Sequence, residues 1–402
     1  MAKVRDRLPS PLVLKYYAYE ATGTFGFFWP IFTIYLLHRD LTYAQIGLLG
    51  SISAGVTVVG EVPTGYVADR LGRRNSLAVS SVLLAVSVFG FVVAKTFPAF
   101  AVLYFVWALG LGFQSGTGDA WLYDALEDRL REGEFTRIRG RGGSVGQVVS
   151  AGSMLVSGAL YSVDPRLPFL VGGLVLSGSI PVVLSFPRSA SHAVEDDELG
   201  VLETATAVRE TLLQPGLRWV ILYLAVFFAA IQTVDTFIQP IATRTLSLPD
   251  VGLGPLYAGF SLVAAVGSYY ADEIRETLTT KWAFALVPAA AAVFFVLPAV
   301  AAFVAFPMFF VTKAANAVMR PIASGYVNDR VESLNRATLL SGVALVYALV
   351  RMPLKPLAGA AADATTPIIA VAALGVLLAV ASVGLHASNP FGERRSESEL
   401  ST

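Results

Sequence analysis

Apolar residues follow one another along this chain in long runs, each closed by a short polar stretch. A helix needs about 20 mostly apolar residues to cross a bilayer, because only a helix of that length satisfies its own backbone groups across the hydrocarbon. Twelve segments meet this standard. In the first half they run over roughly 12–37, 42–68, 75–94, 98–124, 141–162 and 167–186, the last stopped by Pro187. In the second half they run over roughly 217–243, 251–272, 282–303, 307–327, 338–361 and 367–387. Between them the polar stretch 188–214, with Glu195-Asp196-Asp197-Glu198, reads as a solvated linker. The pattern therefore predicts an all-α integral membrane protein: twelve transmembrane helices as two six-helix bundles, 1–187 and 215–402, joined by residues 188–214. Thr42-Tyr43-Ala44-Gln45 has capping-box spacing and is expected to start the second span.

Composition sharpens this picture. The chain is 55% apolar and only 14% charged, with mean hydropathy +0.64, outside the range of a water-soluble domain. Its 29 basic and 29 acidic side chains cancel, so no global basic field points to nucleic acid. The absence of cysteine excludes disulfides, thiolate metal sites, iron–sulfur clusters and cysteine nucleophiles. Lys3, Arg5 and Arg7 precede an apolar run as in a secretory signal, but that run continues to about Leu37 and carries Lys15 and Glu20, so it reads as a retained first span.

Placement of charge sets orientation, since loops rich in Lys and Arg stay in the cytoplasm. With both termini inside, the outer loops hold only Arg39, Lys95, Arg166 and Arg244, while the inner loops hold most of the remainder. A multi-pass protein of the cell membrane with cytoplasmic N- and C-termini is expected. The halves also echo one another. Trp29-Pro30-Ile31 parallels Gln239-Pro240-Ile241, Tyr66-Val67-Ala68-Asp69 parallels Tyr269-Tyr270-Ala271-Asp272, and Tyr123-Asp124 parallels Asn328-Asp329, in the same order and at equivalent places.

The loop after the second span reads Gly65-Tyr66-Val67-Ala68-Asp69-Arg70-Leu71-Gly72-Arg73-Arg74. Gly72 permits a tight turn that presents Arg73 and Arg74 at the membrane surface. This loop resembles the signature loop of the major facilitator superfamily (MFS): Gly, three residues, Asp, Arg, one residue, Gly, Arg, then a basic residue, every position being filled here. The resemblance extends to the architecture of six helices, linker and six helices. It implies secondary transport of a small solute, and an inner latch in which Asp69 meets the cytoplasmic end of the eleventh span and Arg73 pairs with Asp124. The family's drug antiporters often carry a Gly-Pro step in the fifth span and an Arg within the fourth; neither is present in this chain.

Ionisable side chains inside a span are costly, about 2.5–3.5 kcal/mol each on insertion scales, so each implies an aqueous cavity or a partner. The acids are Glu20, Glu61, Asp119 and Asp235, and the bases Lys313, Arg320, Arg351 and Lys355; Lys15 is expected to reach back to the inner surface. Lys313, Asn316 and Arg320 share one helical face, as do Arg351 and Lys355. The distribution predicts an acidic wall from the first half, a basic wall from the second and a solute with an anionic group. Two readings of these charges stay open: contact with solute, or ion pairs between helices that touch none. Arg320-Pro321 and Met352-Pro353 are candidate helix breaks.

His38, His192 and His386 sit at span ends or in the linker, so proton coupling at mid-membrane is expected to use Glu20, Asp119 or Asp235. The aromatic residues of the first span, with Trp107, Phe113 and Trp121, are read mainly as packing and lipid contact. Gly140-Arg141-Gly142-Gly143-Ser144-Val145-Gly146 follows no strand and is read as close helix packing through Gly142 and Gly146, as are Gly112 and Gly116. No metal-ligand cluster, nucleophile set or nucleotide loop stands out, so no cofactor and no enzyme activity are expected. The leading expectation is a proton-coupled monomeric exporter in the lipid bilayer. An importer working by symport and a non-transporting receptor or scaffold are the alternatives.

Overall fold

A computed structural model of the protein describes residues 10–127, 132–187, 215–270, 273, 279–328 and 336–387. The linker 188–214 and Asp272 and Asp329 of the internal repeats lie outside the described residues. The described chain is helical, with no strand. Its α-helices are α1 Pro11–Thr22, α2 Phe32–His38, α3 Tyr43–Leu71, α4 Arg73–Val93, α5 Phe97–Gln114, α6 Thr117–Glu127, α7 Phe135–Val163 and α8 Leu167–Leu184 in the first half. The second half contributes α9 Pro215–Pro240, α10 Leu253–Tyr269, α11 Thr280–Val296, α12 Ala305–Asn328, α13 Arg336–Ala364 and α14 Pro367–Ala387.

Eleven described helical spans are long and apolar enough to cross a membrane, at the expected places. The missing one is the first, predicted as a single helix over 12–37. It is split into α1 and α2 by a break at Gly23–Phe28, where the Thr24 hydroxyl takes the Gly26 N–H at 3.1 Å in place of a helical carbonyl. Gly26 sits so tightly on Ser150 of α7 that a β-carbon there would strike its carbonyl. Pro30 then supplies no N–H, and Trp29–Ile31 form a 3₁₀ turn. The equivalent Pro240 ends α9 in a π-turn over Ile241–Thr245, so the repeated Pro-Ile step marks an irregular turn in both halves.

The fourth span is likewise two helices, α5 and α6. Gly112 packs on Thr64, as expected, but Gly116 does not act as a packing residue: its φ of +70° turns the chain between the helices, a conformation costly for any residue with a β-carbon. Conversely α12 and α13 run straight through Arg320-Pro321 and Met352-Pro353, so the breaks expected there are absent.

The chain forms two compact units. The first comprises Met1–Glu198 with Thr236–Leu262 and Lys355–Pro367. Within it α4 packs against α5 and α8, α3 against α5, and α1 against α7 and α8. A buried aromatic core of Phe28, Phe32, Phe91 and Phe169 joins the first, third and sixth spans, and Trp121 stacks on Phe186 at 3.7 Å. Gly142 lies against the Tyr16 ring and Gly146 against the Glu20 carbonyl, the close packing expected of them. The second unit comprises Leu199–Asp235, Val263–Leu354 and Ile368–Thr402, with α11 packed on α12 and the Tyr223 hydroxyl of α9 donating to the Phe284 carbonyl of α11 at 2.7 Å.

Candidate functional site: a basic cavity and a set of helix caps

In the second unit α9, α12 and α13 enclose a cavity of about 430 Å³. Three helices bring polar groups to it at helical spacing: Gln232 of α9, Asn316, Arg320 and Ser324 of α12, and Tyr347 and Arg351 of α13. Phe228 adds an apolar side, its ring 5.3 Å from that of Tyr347. The Arg351 guanidinium donates to Oε1 of Gln232, a neutral acceptor. Among the described residues no carboxylate pairs with Arg351 or Arg320. One turn along α9 from Gln232, Asp235 accepts from Nζ of Lys313 at 2.7 Å. The cavity thus gathers three of the predicted candidates, Asn316, Arg320 and Arg351, with two more, the Asp235–Lys313 pair, beside it.

Lys355 departs from this group. It belongs to the first unit, where its aliphatic stem lies against Gly50 of α3, although it is only one turn from Arg351. Gln232 was not expected at all. The signal available was its i, i+3 spacing to Asp235 in an otherwise apolar helix.

The acids of the first half sit in the first unit, under different conditions. Glu20 lines two cavities, one of about 410 Å³ beside the break in the first span with Thr24, Gln147 and Ser150, the other of about 210 Å³ with Gln114 and Asp119. Tyr16 stands one turn before Glu20 on α1. Asp119 is clamped by Arg139 in a two-pronged pair, Nε to Oδ1 and Nη2 to Oδ2, both 2.7 Å. The pattern of apolar runs placed Arg139 in a loop before residue 141. In the structure α7 begins at Phe135, which puts Arg139 on the helix and opposite Asp119. The acidic wall is therefore partly neutralised by its own half. Lys15 reaches the end of α8, donating to the Ser185 carbonyl at 2.6 Å.

At the signature loop, Gly72 adopts φ +79° and separates α3 from α4, as the turn requires. Arg73 pairs with Asp124 at 2.6 Å and also donates to the Ala120 carbonyl, joining α4 to α6. Arg70 is exposed and Arg74 half-buried, while the side chain of Asp69 lies outside the described residues.

The opposite end of the first unit is held by side chains that cap helices. The first four N–H groups of a helix have no partner within it. For α3, Thr42 and Gln45 form the expected capping box, with Thr42 Oγ1 accepting at 3.2 Å and Gln45 Oε1 at 3.0 Å. The two N–H groups between them, of Tyr43 and Ala44, donate to the carboxylate of Asp363 at the end of α13, each at 2.8 Å. In the same way Oε1 of Gln239 accepts from Thr33 and Ile34 at the start of α2, at 2.7 and 3.3 Å, and its amide donates to the Trp29 carbonyl at 2.9 Å. Backbones meet here without intervening side chains: a β-carbon on Gly47 would strike the Lys355 carbonyl, and one on Gly359 the Tyr43 carbonyl.

These features define a polytopic membrane protein of two similar halves, with a polar cavity amid its spans and a helix-capped closure at one end. A sequence profile of the Major Facilitator Superfamily matches residues 21–352, and the chain belongs to that family. The twelve-helix, two-domain architecture of the family accommodates the eleven described spans and the first one, split at Gly23–Phe28. The uncharacterized MFS-type transporter YxaM of Bacillus subtilis (strain 168) is 28% identical over 267 residues, covering 64% of this chain and 62% of that protein. The uncharacterized MFS-type transporter YcaD of Shigella flexneri is 24% identical over 332 residues, 77% of this chain and 78% of its own. Among solved structures, that of the nucleoside transporter NupG superposes with a TM-score of 0.82 at 12% identity, covering 96% of this chain and 100% of that one. That of a D-xylose-proton symporter superposes at 0.64 with 15% identity, covering 92% and 95%. At such identities the structural matches establish the fold. With its family, the chain is a membrane transporter and not an enzyme.

Proposed function

We propose that the protein is a secondary active transporter of small anionic solutes, monomeric and proton-coupled, that exposes its site to each face of the cell membrane in turn. The six-span bundles 1–187 and 215–402, joined by 188–214, are the bodies that rock. Both termini and the Gly65–Arg74 loop lie in the cytoplasm by the distribution of Lys and Arg. On this reading the capped end, with Gln239 and Asp363, is the outer gate. Arg73 with Asp124, and Asp69 at the end of the eleventh span, form the inner latch.

One observation carries the substrate class: among the described residues Arg351, inside a membrane span, donates to the neutral Gln232 and meets no carboxylate, and Arg320 beside the same cavity has no acidic partner. An unpaired charge there is costly, and a bound carboxylate or similar anion offsets that cost with two-pronged hydrogen bonds. Proton coupling rests on Glu20, Asp119 and Asp235, the acids in or beside the cavities. The test is transport of small carboxylates by cells carrying wild type, Arg351→Ala or Arg320→Ala. Loss of flux in the variants at undiminished protein level supports the reading, and full activity in both removes it.

A further inference from the structure

We infer that the cavity of the second unit is built in layers for an aromatic anion, whose carboxylate meets Arg351 and whose ring lies against Tyr347 and Phe228. The substrate class is then the small aromatic carboxylates. The inference rests on the anion reading above and adds to it the body of the solute.

The cavity lies wholly within the second unit, and two contacts fix how α9 and α13 line up beside it. Arg351 donates to Gln232, and the Tyr347 ring lies 5.3 Å from that of Phe228. Tyr347 comes four residues before Arg351, and Phe228 four before Gln232. The two helices therefore run the same way and in register, and the contacts form successive layers about 6 Å apart. One turn further back along α13, Val343 and Ala344 line the cavity, with Ala323, Ser324 and Val327 contributed by α12. The lining passes from charged to aromatic to mostly aliphatic along the helix axes.

The tenth span, α12, runs opposite to the seventh, α9, and the Lys313–Asp235 pair sets their register. Asn316 and Arg320 follow Lys313 at one-turn intervals, just as Gln232 and Phe228 precede Asp235. Asn316 accordingly belongs to the polar layer and Arg320 to the aromatic one. Phe228 is buried and Tyr347 half-buried, so the pair carries apolar surface that a ligand ring would remove from water. Contact between rings adds about two- to tenfold in affinity beyond the area it buries. A guanidinium at the level of Arg320 is also attracted to the face of an aromatic ring, an attraction that a saturated ring of equal size does not provide.

The test uses purified full-length protein in detergent, with dissociation constants taken from the rise in melting temperature. The probes are benzoate, its saturated counterpart cyclohexanecarboxylate, acetate and the dianion succinate. In wild type benzoate should bind about tenfold tighter than cyclohexanecarboxylate, and about thirtyfold or more tighter than acetate, which has no ring to bury. Tyr347→Leu should shrink the preference for benzoate over cyclohexanecarboxylate to about threefold, while Tyr347→Phe keeps it in full. A tyrosine that only supported the fold would change both affinities together and leave their ratio alone. Arg351→Gln should abolish binding of every probe. Equal affinity of wild type for benzoate and cyclohexanecarboxylate overturns the inference without need of any variant to fold, and so does succinate binding tighter than benzoate. In either case, loss of binding in Arg351→Gln leaves the anion site standing. Failure of all four probes to bind, or binding that survives Arg351→Gln, removes the anion site and this inference with it.

Discussion

Two guanidinium groups of this protein, both on membrane-spanning helices, illustrate opposite uses of a charge. Arg139 in the first unit meets the Asp119 carboxylate through two hydrogen bonds, and Arg351 in the second meets, among the described residues, a side-chain amide and no carboxylate. The first charge is satisfied by its own fold. The second is oriented by Gln232 but left with its charge uncompensated, which holds it ready for an anion from outside. Counting charges in spans makes the halves look like matched acidic and basic walls. Pairing shows instead that Asp119 of the first wall is balanced by Arg139 of its own half, whereas Arg351 of the second meets no carboxylate among the described residues.

That contrast can be broken most directly at Arg351. Removing one partner of a desolvated charged contact costs about 2–5 kcal/mol, so Arg351→Gln should lower transport by at least 30-fold while the melting temperature stays near that of wild type. Flux near the wild-type level would place Arg351 among the structural charges. The capped end supplies the next largest effect. Gly359→Val forces a side chain into the Tyr43 carbonyl, and overpacking of this kind costs about 1–3 kcal/mol. With no native cysteine to remove, a pair of spin labels across the starts of α3 and the end of α13 should then report a longer distance. An unchanged distance would show that the glycine contact does not hold this end shut.

Asp363→Asn keeps the shape of the cap on α3 but removes its negative charge. Charge at a helix N-terminus contributes about 0.3–1 kcal/mol, so the same labels should show a partial shift, smaller than for Gly359→Val. The smallest effect is expected at the paired charge. Arg139→Gln breaks an ion pair whose side chains are 55% and 45% exposed, and exposed pairs contribute about 0–1 kcal/mol. It should leave transport within about twofold of wild type and lower the melting temperature only slightly. A loss as large as that of Arg351→Gln would erase the distinction between the two halves.

Much of this architecture was legible in the order of residues. The runs of apolar residues marked eleven spans at the positions where the helices occur, and the signature loop pointed to the family and to the Arg73–Asp124 pair. Thr42 and Gln45 form the capping box their spacing implied. The pattern was less informative wherever a helix had to bend. Pro321 and Pro353 lie within continuous helices, whereas Gly23–Phe28 and Gly116 interrupt theirs. A proline or glycine shows where a helix tolerates a break. Whether it breaks depends on what is at hand to take the freed backbone groups, such as the Thr24 hydroxyl within the break itself.

By itself, then, the sequence determined the solvent of this protein, its number of spans, its twofold repeat and the identity of every charge buried among apolar residues. These follow from length and hydropathy, which are properties of contiguous segments. Only the tertiary structure decided which charges meet. Lys355 and Arg351 are one turn apart yet belong to different units, Arg139 finds Asp119 twenty residues away, and Gln239 and Asp363 cap helices that lie 206 and 320 residues distant in the chain. The physical reason is that an ion pair or a cap is set within a few ångströms by how helices are rotated and which of them adjoin. No run of consecutive residues records either quantity.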